Sequence, residues 1–170
     1  MADWQLADEL DVSVATIRLD RMALDIPELR ERARSIAAST YSEVRALHGE
    51  EVIGELIELN LGQNATSVLV VTDQMVFAKN QILRGHYLFA QGNSMAVALV
   101  DSEIVLTKSA EVHFSQPVHL GERVVAKATI TSLAGNRYYV SVVSSVHDKI
   151  VFSGDFVVVD VVGRGGTNRD

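Results

Sequence analysis

From Arg84 to Val100 the chain reads as a long apolar helix. It is headed by one arginine and holds no Asp or Glu. A helix that is apolar on most sides must be buried. Yet this one carries Arg84, His86, Gln91, Asn93 and Ser94, which are costly to bury without partners. The combination points to a site that grips an anionic, partly apolar ligand. It lacks the carboxylate that a hydrolytic site commonly uses as base or nucleophile. A guanidinium at the head of a helix offers a bidentate fork to a carboxylate or phosphate. Gly85 beside it allows close backbone approach, and the helix start adds backbone N–H groups. Phe77 and Phe89 could line the apolar part of such a pocket. Two other readings of Arg84 stay open: pairing with a core acid such as Glu55 or Asp101, or pointing to solvent. His86 reads as a general base or as a capping and surface group. Gln91 and Asn93 orient ligands by hydrogen bonds, or bridge helix to sheet. The five histidines, His48, His86, His113, His119 and His147, show no metal-ligand spacing. No nucleophile-elbow or phosphate-loop pattern occurs.

The elements that position these residues change character near residue 49. Before it the apolar pattern has helical period; after it strand period dominates. Residues 3–10 place Leu6, Ala7 and Leu10 on one side of a helix. Asp11-Val12-Ser13 breaks it, and Ser13 is a good N-cap for a second helix over 14–24. That helix is expected to bury Val14, Ile17 and Met22 and to turn Ala15, Thr16, Arg18 and Arg21 outward. Pro27 opens a third helix, roughly 27–47, with Leu29, Ala33, Ile36 and Ala37 as its apolar stripe and Arg30, Glu31 and Arg34 exposed. Gly49 is its natural terminator. Two short helices about a tight turn, the second basic, read as helix-turn-helix or as an ordinary helical hairpin docked on the second domain. In the first reading Ser13, Ala15, Thr16, Arg18 and Arg21 approach DNA, joined by Arg30 and Arg34. A complete unit carries a further helix before the pair, whereas Met1 directly precedes it here; Trp4 is expected to cover the core left open.

From residue 50 strands are expected at 52–61, 67–71, 103–115, 121–133, 137–146 and 150–162. Val124, Ala126, Ala128 and Ile130 share one face of the fourth. Ala134-Gly135-Asn136 marks a hairpin turn, and Asp148-Lys149 another. Five or six antiparallel strands and one apolar helix are most economically arranged by wrapping the sheet around the helix. This is an α+β architecture, the layout of a hot-dog fold. Its exposed sheet edge favours a homodimer. The expected units are a partial helix-turn-helix over 1–25, an amphipathic linker helix over 26–49, a hot-dog domain over 50–163 and a flexible tail over 164–170.

Composition supports a packed protein: 48% of the 170 residues are hydrophobic, ample for a core. No apolar run reaches the ~18 residues of a membrane span, so no membrane partner is expected. The N-terminus has no secretory pattern and cysteine is absent, which fits the cytoplasm. The net charge of −7 argues against a protein that coats nucleic acid along its whole surface. Any DNA contact must come from arginines gathered on one face.

Several strings are similar to those of the FapR family, bacterial repressors of fatty-acid and phospholipid synthesis genes. They are Thr16-Ile17-Arg18-Leu19-Asp20-Arg21, Ile26-Pro27-Glu28-Leu29-Arg30-Glu31-Arg32, Val52-Ile53-Gly54-Glu55, Arg84-Gly85-His86, Leu88-Phe89-Ala90-Gln91, Gly121-Glu122-Arg123-Val124-Val125-Ala126-Lys127-Ala128 and Val151-Phe152-Ser153-Gly154. They span nearly the whole chain in one order. The resemblance implies a dimeric repressor whose helix-turn-helix and linker helix bind operator DNA. Its hot-dog domain would bind malonyl-CoA and release the operator. It implies that Arg84 holds the malonyl carboxylate, that Phe77 and Asn93 belong to the effector site, and that Gly85, Leu88 and Phe89 line the same region. It implies no cofactor and no enzymatic activity: an acyl-CoA pocket without its catalytic acid. The alternative is a hot-dog thioesterase or dehydratase. Effector binding is expected to reorder residues 77–85 and to dock the helical unit on the hot-dog body. The chain departs from the family in two places. The first helix of the DNA-binding unit is missing or shortened, which is expected to weaken operator affinity. The strand end Val112-His113-Phe114-Ser115-Gln116-Pro117 carries fewer cations than the family's.

Overall fold

Strict alternation in the second half of the chain builds one antiparallel sheet. A computed structural model describes residues 3–24, 44–48 and 51–162. Two short helices come first, α1 (Asp3–Leu10) and α2 (Val14–Ala23). They are followed by β1 (Glu55–Asn60), β2 (Asn64–Val70), the long helix α3 (Gly85–Ala98), β3 (Val105–Phe114), β4 (Arg123–Ala134), β5 (Arg137–Val146) and β6 (Lys149–Asp160). The six strands lie in the order β1-β2-β4-β5-β6-β3, all neighbours antiparallel. The sheet curls around α3, which touches β2, β3, β4, β5 and β6. Val124, Ala126 and Ala128 are each 0% exposed on that inner face, as the period-2 pattern of β4 requires.

The helix sits close because small residues let it. A Cβ on Gly92 would stand 3.1 Å from a ring carbon of Phe152 and 3.3 Å from one of Phe156, closer than packed side chains normally come. Both rings are buried, with Met95, Leu99, Val124, Val140 and Val142 around them. One inner row across the sheet is polar where the rest is not. Ser67, Ala126 and Ser144 are register partners on β2, β4 and β5. Gln91 of α3 lies over this row. Its Nε2 donates to Ser67 Oγ (3.0 Å) and to the Val124 carbonyl (3.4 Å). Gln91 and Ser67 thus bridge helix to sheet, the structural alternative for this amide.

Turn chemistry fixes the hairpins. Gly135, with φ 62°, makes the β4–β5 turn. The β5–β6 turn is His147-Asp148, with φ 46° and 63° and Val146 opposite Lys149. It falls one residue before the expected Asp148-Lys149. Asp tolerates this left-handed region well, and the primed turn matches strand twist. Several other expectations need correction. Residues 52–54 precede β1 rather than forming it, and Gly54 has φ 90°. Residues 45–47 form bends, not the end of a helix over 27–47. Val44 is buried in the core, and Arg45 pairs with Asp101 and Glu103 at 3.2 and 3.3 Å, so tertiary contacts override helical period there. The remainder of that helix, with Arg30 and Arg34, lies outside the described residues, as does the expected tail 164–170. Leu10 and Trp4 are exposed, Trp4 by 65%, so Trp4 covers no core: α1 meets the molecule through Ala7 and α2 instead.

Candidate functional site

Arg84 is the N-cap of α3, and its side chain makes no cap bond to the helix. It turns back onto the short 3-10 turn Asp73–Met75. Its main-chain N–H and its Nε both donate to the Met75 carbonyl, at 3.0 and 3.2 Å. Its Nη2 donates to the Gln74 carbonyl and to the Tyr87 hydroxyl at 3.3 Å. The guanidinium carbon also lies 5.3 Å from the centre of the Tyr87 ring, within cation–π range. No ion pair to a carboxylate is formed by Arg84 among the described residues. Asp101 is taken by Arg45; that hydrogen bond and the charge of Asp101, with help from Glu103, raise the Arg45 pKa. Nε and both Nη2 hydrogens are therefore used by neutral oxygens. Nη1 has no partner among the described residues. An arginine fixed by neutral acceptors keeps its whole positive charge available to an anion.

Of the other expected site residues, Phe77 and Gly85 fall near this end of α3, whereas Asn93 lies more than two turns further along it. Phe77 sits on a small hairpin in which Val76 bridges Leu83 and the Phe77 N–H donates to the Ile82 carbonyl. Its side chain is 52% exposed, a large apolar group left in water. Gly85 has Phe114 over it: a Cβ there would stand 3.1 Å from a ring carbon. Phe89 is partly exposed and contacts the Phe156 ring at 5.8 Å between centroids. Asn93 accepts from the Thr107 hydroxyl at 2.6 Å and so ties α3 to the edge strand β3. Leu88 faces the core, 4% exposed, and supports the helix from beneath. His86 is exposed against the Tyr87 ring and forms no ion pair among the described residues, so it is a surface group. Tyr87 was not singled out by the sequence. Its place at i+3 from Arg84, one helical turn on, is the signal that would have found it.

The helical pair is arranged differently from expectation. Ser13 caps α2 as anticipated, accepting from the Thr16 N–H at 3.0 Å. The face expected outward is not outward. Ala15 is buried, and Arg18 Nη1 donates to the Ile57 carbonyl of β1 at 2.8 Å. Arg18 and Arg21 both meet Asp3 of α1, at 3.8 and 3.3 Å. From the sheet, Arg123 Nη1 donates to the Met22 carbonyl at 2.5 Å. The physical reason lies on β2. Ala65, Ser67 and Leu69 face α3, so Thr66 and Val68 face outward, yet both are buried. Residues Thr16, Leu19 and Met22 of α2 border cavities on that outer face, with Thr66 in one and Val68, Val125 and Arg123 in the other. A strand apolar on both faces is the sequence signal for a cover, and helical period alone could not supply it.

Among the described residues no group of three His, Cys, Asp or Glu side chains could hold a metal ion, and no helix is long and apolar enough to cross a membrane. No family model matches the chain. It is 50% identical over 157 residues to the transcription factor FapR of an Exiguobacterium strain, which covers 92% of this chain and 83% of that protein. It is 50% identical over 159 residues to the transcription factor FapR of Bacillus subtilis, covering 92% and 85%. The fold is similar to that of uncharacterized protein PH1136 from Pyrococcus horikoshii: TM-score 0.64, 26% identity, 69% of this chain and 92% of that one. It is also similar to the PaaI protein of the phenylacetic acid degradation operon of E. coli, with TM-score 0.59, 19% identity and coverage of 64% and 80%. These neighbours are hot-dog proteins, so the fold is the one the strand pattern implied.

Proposed function

The chain belongs to the FapR family of transcription factors, and we propose that it is a homodimeric repressor of fatty-acid and phospholipid synthesis genes that leaves its operator when malonyl-CoA binds. It regulates rather than catalyses: its relatives are transcription factors, and α3 offers no carboxylate for thioester hydrolysis. One observation carries the ligand reading. Arg84, at the head of a buried helix, is held only by neutral oxygens, with Nη1 unpartnered among the described residues. Such a group favours an acyl chain that ends in a carboxylate over a neutral one. Phe77, on the hairpin before α3, and Phe89, on α3 itself, leave apolar surface exposed, and Asn93 supplies an amide on the same helix.

The docked α2 supports the switching step. With Ala15 buried and Arg18 bonded to a β1 carbonyl, this arrangement cannot lay the same face in a major groove. A ligand that binds the docked arrangement better than the undocked one shifts the population away from DNA. Arg84 and Met75 share two hydrogen bonds, so a carboxylate that engages the arginine also acts on residues 73–85. The edge of β3, hydrogen-bonded only to β6 among the described strands, supports pairing with a second copy.

Operator binding measured with and without malonyl-CoA tests the proposal. Affinity should fall by about 5- to 150-fold with the ligand. A change under about twofold would refute ligand-gated release.

A further inference from the structure

The Tyr87 side chain does two things to Arg84 at once. Its hydroxyl oxygen accepts the second Nη2 hydrogen (3.3 Å), and its ring lies under the guanidinium (5.3 Å). The ring is itself fixed: it packs against the core and contacts the His86 ring at 4.3 Å between centroids. We propose that Tyr87 is a positioning residue that locks the Arg84 guanidinium with Nη1 presented to a ligand carboxylate, and thereby sets how strongly a carboxylate-ended acyl thioester is preferred over a neutral one. This rests on the reading of Arg84 as the carboxylate anchor.

The argument is one of donor counting. A guanidinium has five N–H donors in a rigid fork. Nε is fixed by Met75, and Nη2 by Gln74 and Tyr87. Without the hydroxyl, one Nη2 hydrogen loses its acceptor and the plane is held by the Met75 and Gln74 carbonyls alone. A long arginine side chain then recovers rotamer freedom that ligand binding must remove again. The ring acts separately, by holding the cation over a π face in a partly dry setting. Tyr87→Phe keeps the ring and removes the hydroxyl. Tyr87→Leu removes both while keeping apolar bulk on the core side.

The test is calorimetry on the full chain with malonyl-CoA and acetyl-CoA, and the readout is the ratio of the two affinities. The wild type should prefer malonyl-CoA, and Arg84→Gln should abolish that preference. Tyr87→Phe should lower the preference by about five- to tenfold, the effect of one typical net hydrogen bond, with acetyl-CoA affinity unchanged. Tyr87→Leu should lower it further. A residue that only held the fold would weaken both ligands alike and leave the ratio in place. If Arg84→Gln abolishes the preference and Tyr87→Phe retains it within about twofold, the positioning role is wrong while the anchor stands. If the wild type shows no preference, the anchor reading fails and the positioning role falls with it.

Discussion

The helical pair and the hot-dog body are held together by different physics. The body has a contiguous core in which Phe152, Phe156, Leu56, Met95 and Leu99 are essentially inaccessible, inside a six-stranded ladder. Among the described residues the pair buries only Ala7, Ala15 and Ile17 and leaves Trp4, Leu10, Val12 and Leu24 exposed. Beside the outer face of β2, its attachment uses two arginines, Arg18 to the Ile57 carbonyl and Arg123 to the Met22 carbonyl. A cohesive body can bind a ligand without losing its shape. An appendage held by a few hydrogen bonds can leave and return. A switch needs both, because its moving element must come from the low-stability end of the molecule.

The sharpest challenge to this contrast is a core deletion. Phe152→Ala should destabilise the body by about 3–5 kcal/mol, seen as a large drop in the denaturant midpoint. A small drop would mean that the body is not the stable unit. Arg84→Ala should cost about 2–5 kcal/mol of malonyl-CoA binding and lower the unfolding midpoint less than Phe152→Ala does, since it opens no cavity in the core. Arg123→Gln should loosen the pair by about 1–2 kcal/mol. Hydrogen exchange in α2 should quicken while exchange in β4 and β5 does not, and equal quickening in all three would erase the distinction. Ser13→Ala, which removes the cap of α2, should cost about 1 kcal/mol, again confined to the pair. Least of all, Arg45→Gln breaks an exposed pair with Asp101 and Glu103 and should leave the melting temperature unmoved.

Much of the body was legible in the sequence because its signals are local. Alternation in β4, the Gly135 turn and the apolar run after Arg84 each follow from a few neighbouring residues. The strand Arg137–Val146 begins and ends where the pattern placed it. The failures were non-local. Helical period shows that α2 has two faces but not which is covered, so Ala15 and Arg18 were assigned to solvent. Trp4 is expected over the core that a missing first helix leaves open, and only the packing of α1 on α2 shows that it stays in water. Arg84 heads α3, as the apolar pattern implies. Its partners proved to be main-chain oxygens, which every residue carries and no sequence advertises, and Tyr87 was missed for that reason.

The buried outer face of β2 has a thermodynamic consequence for DNA binding. If α2 lifts away to reach an operator, Val68, Thr66 and the facing side of α2 enter water. Exposing apolar surface raises heat capacity, whereas the operator contact itself buries surface and lowers it. Full-length protein should therefore bind operator with a less negative heat-capacity change than its DNA contact area implies. The size of that deficit, followed with temperature, would measure the apolar area that the docked helix keeps dry.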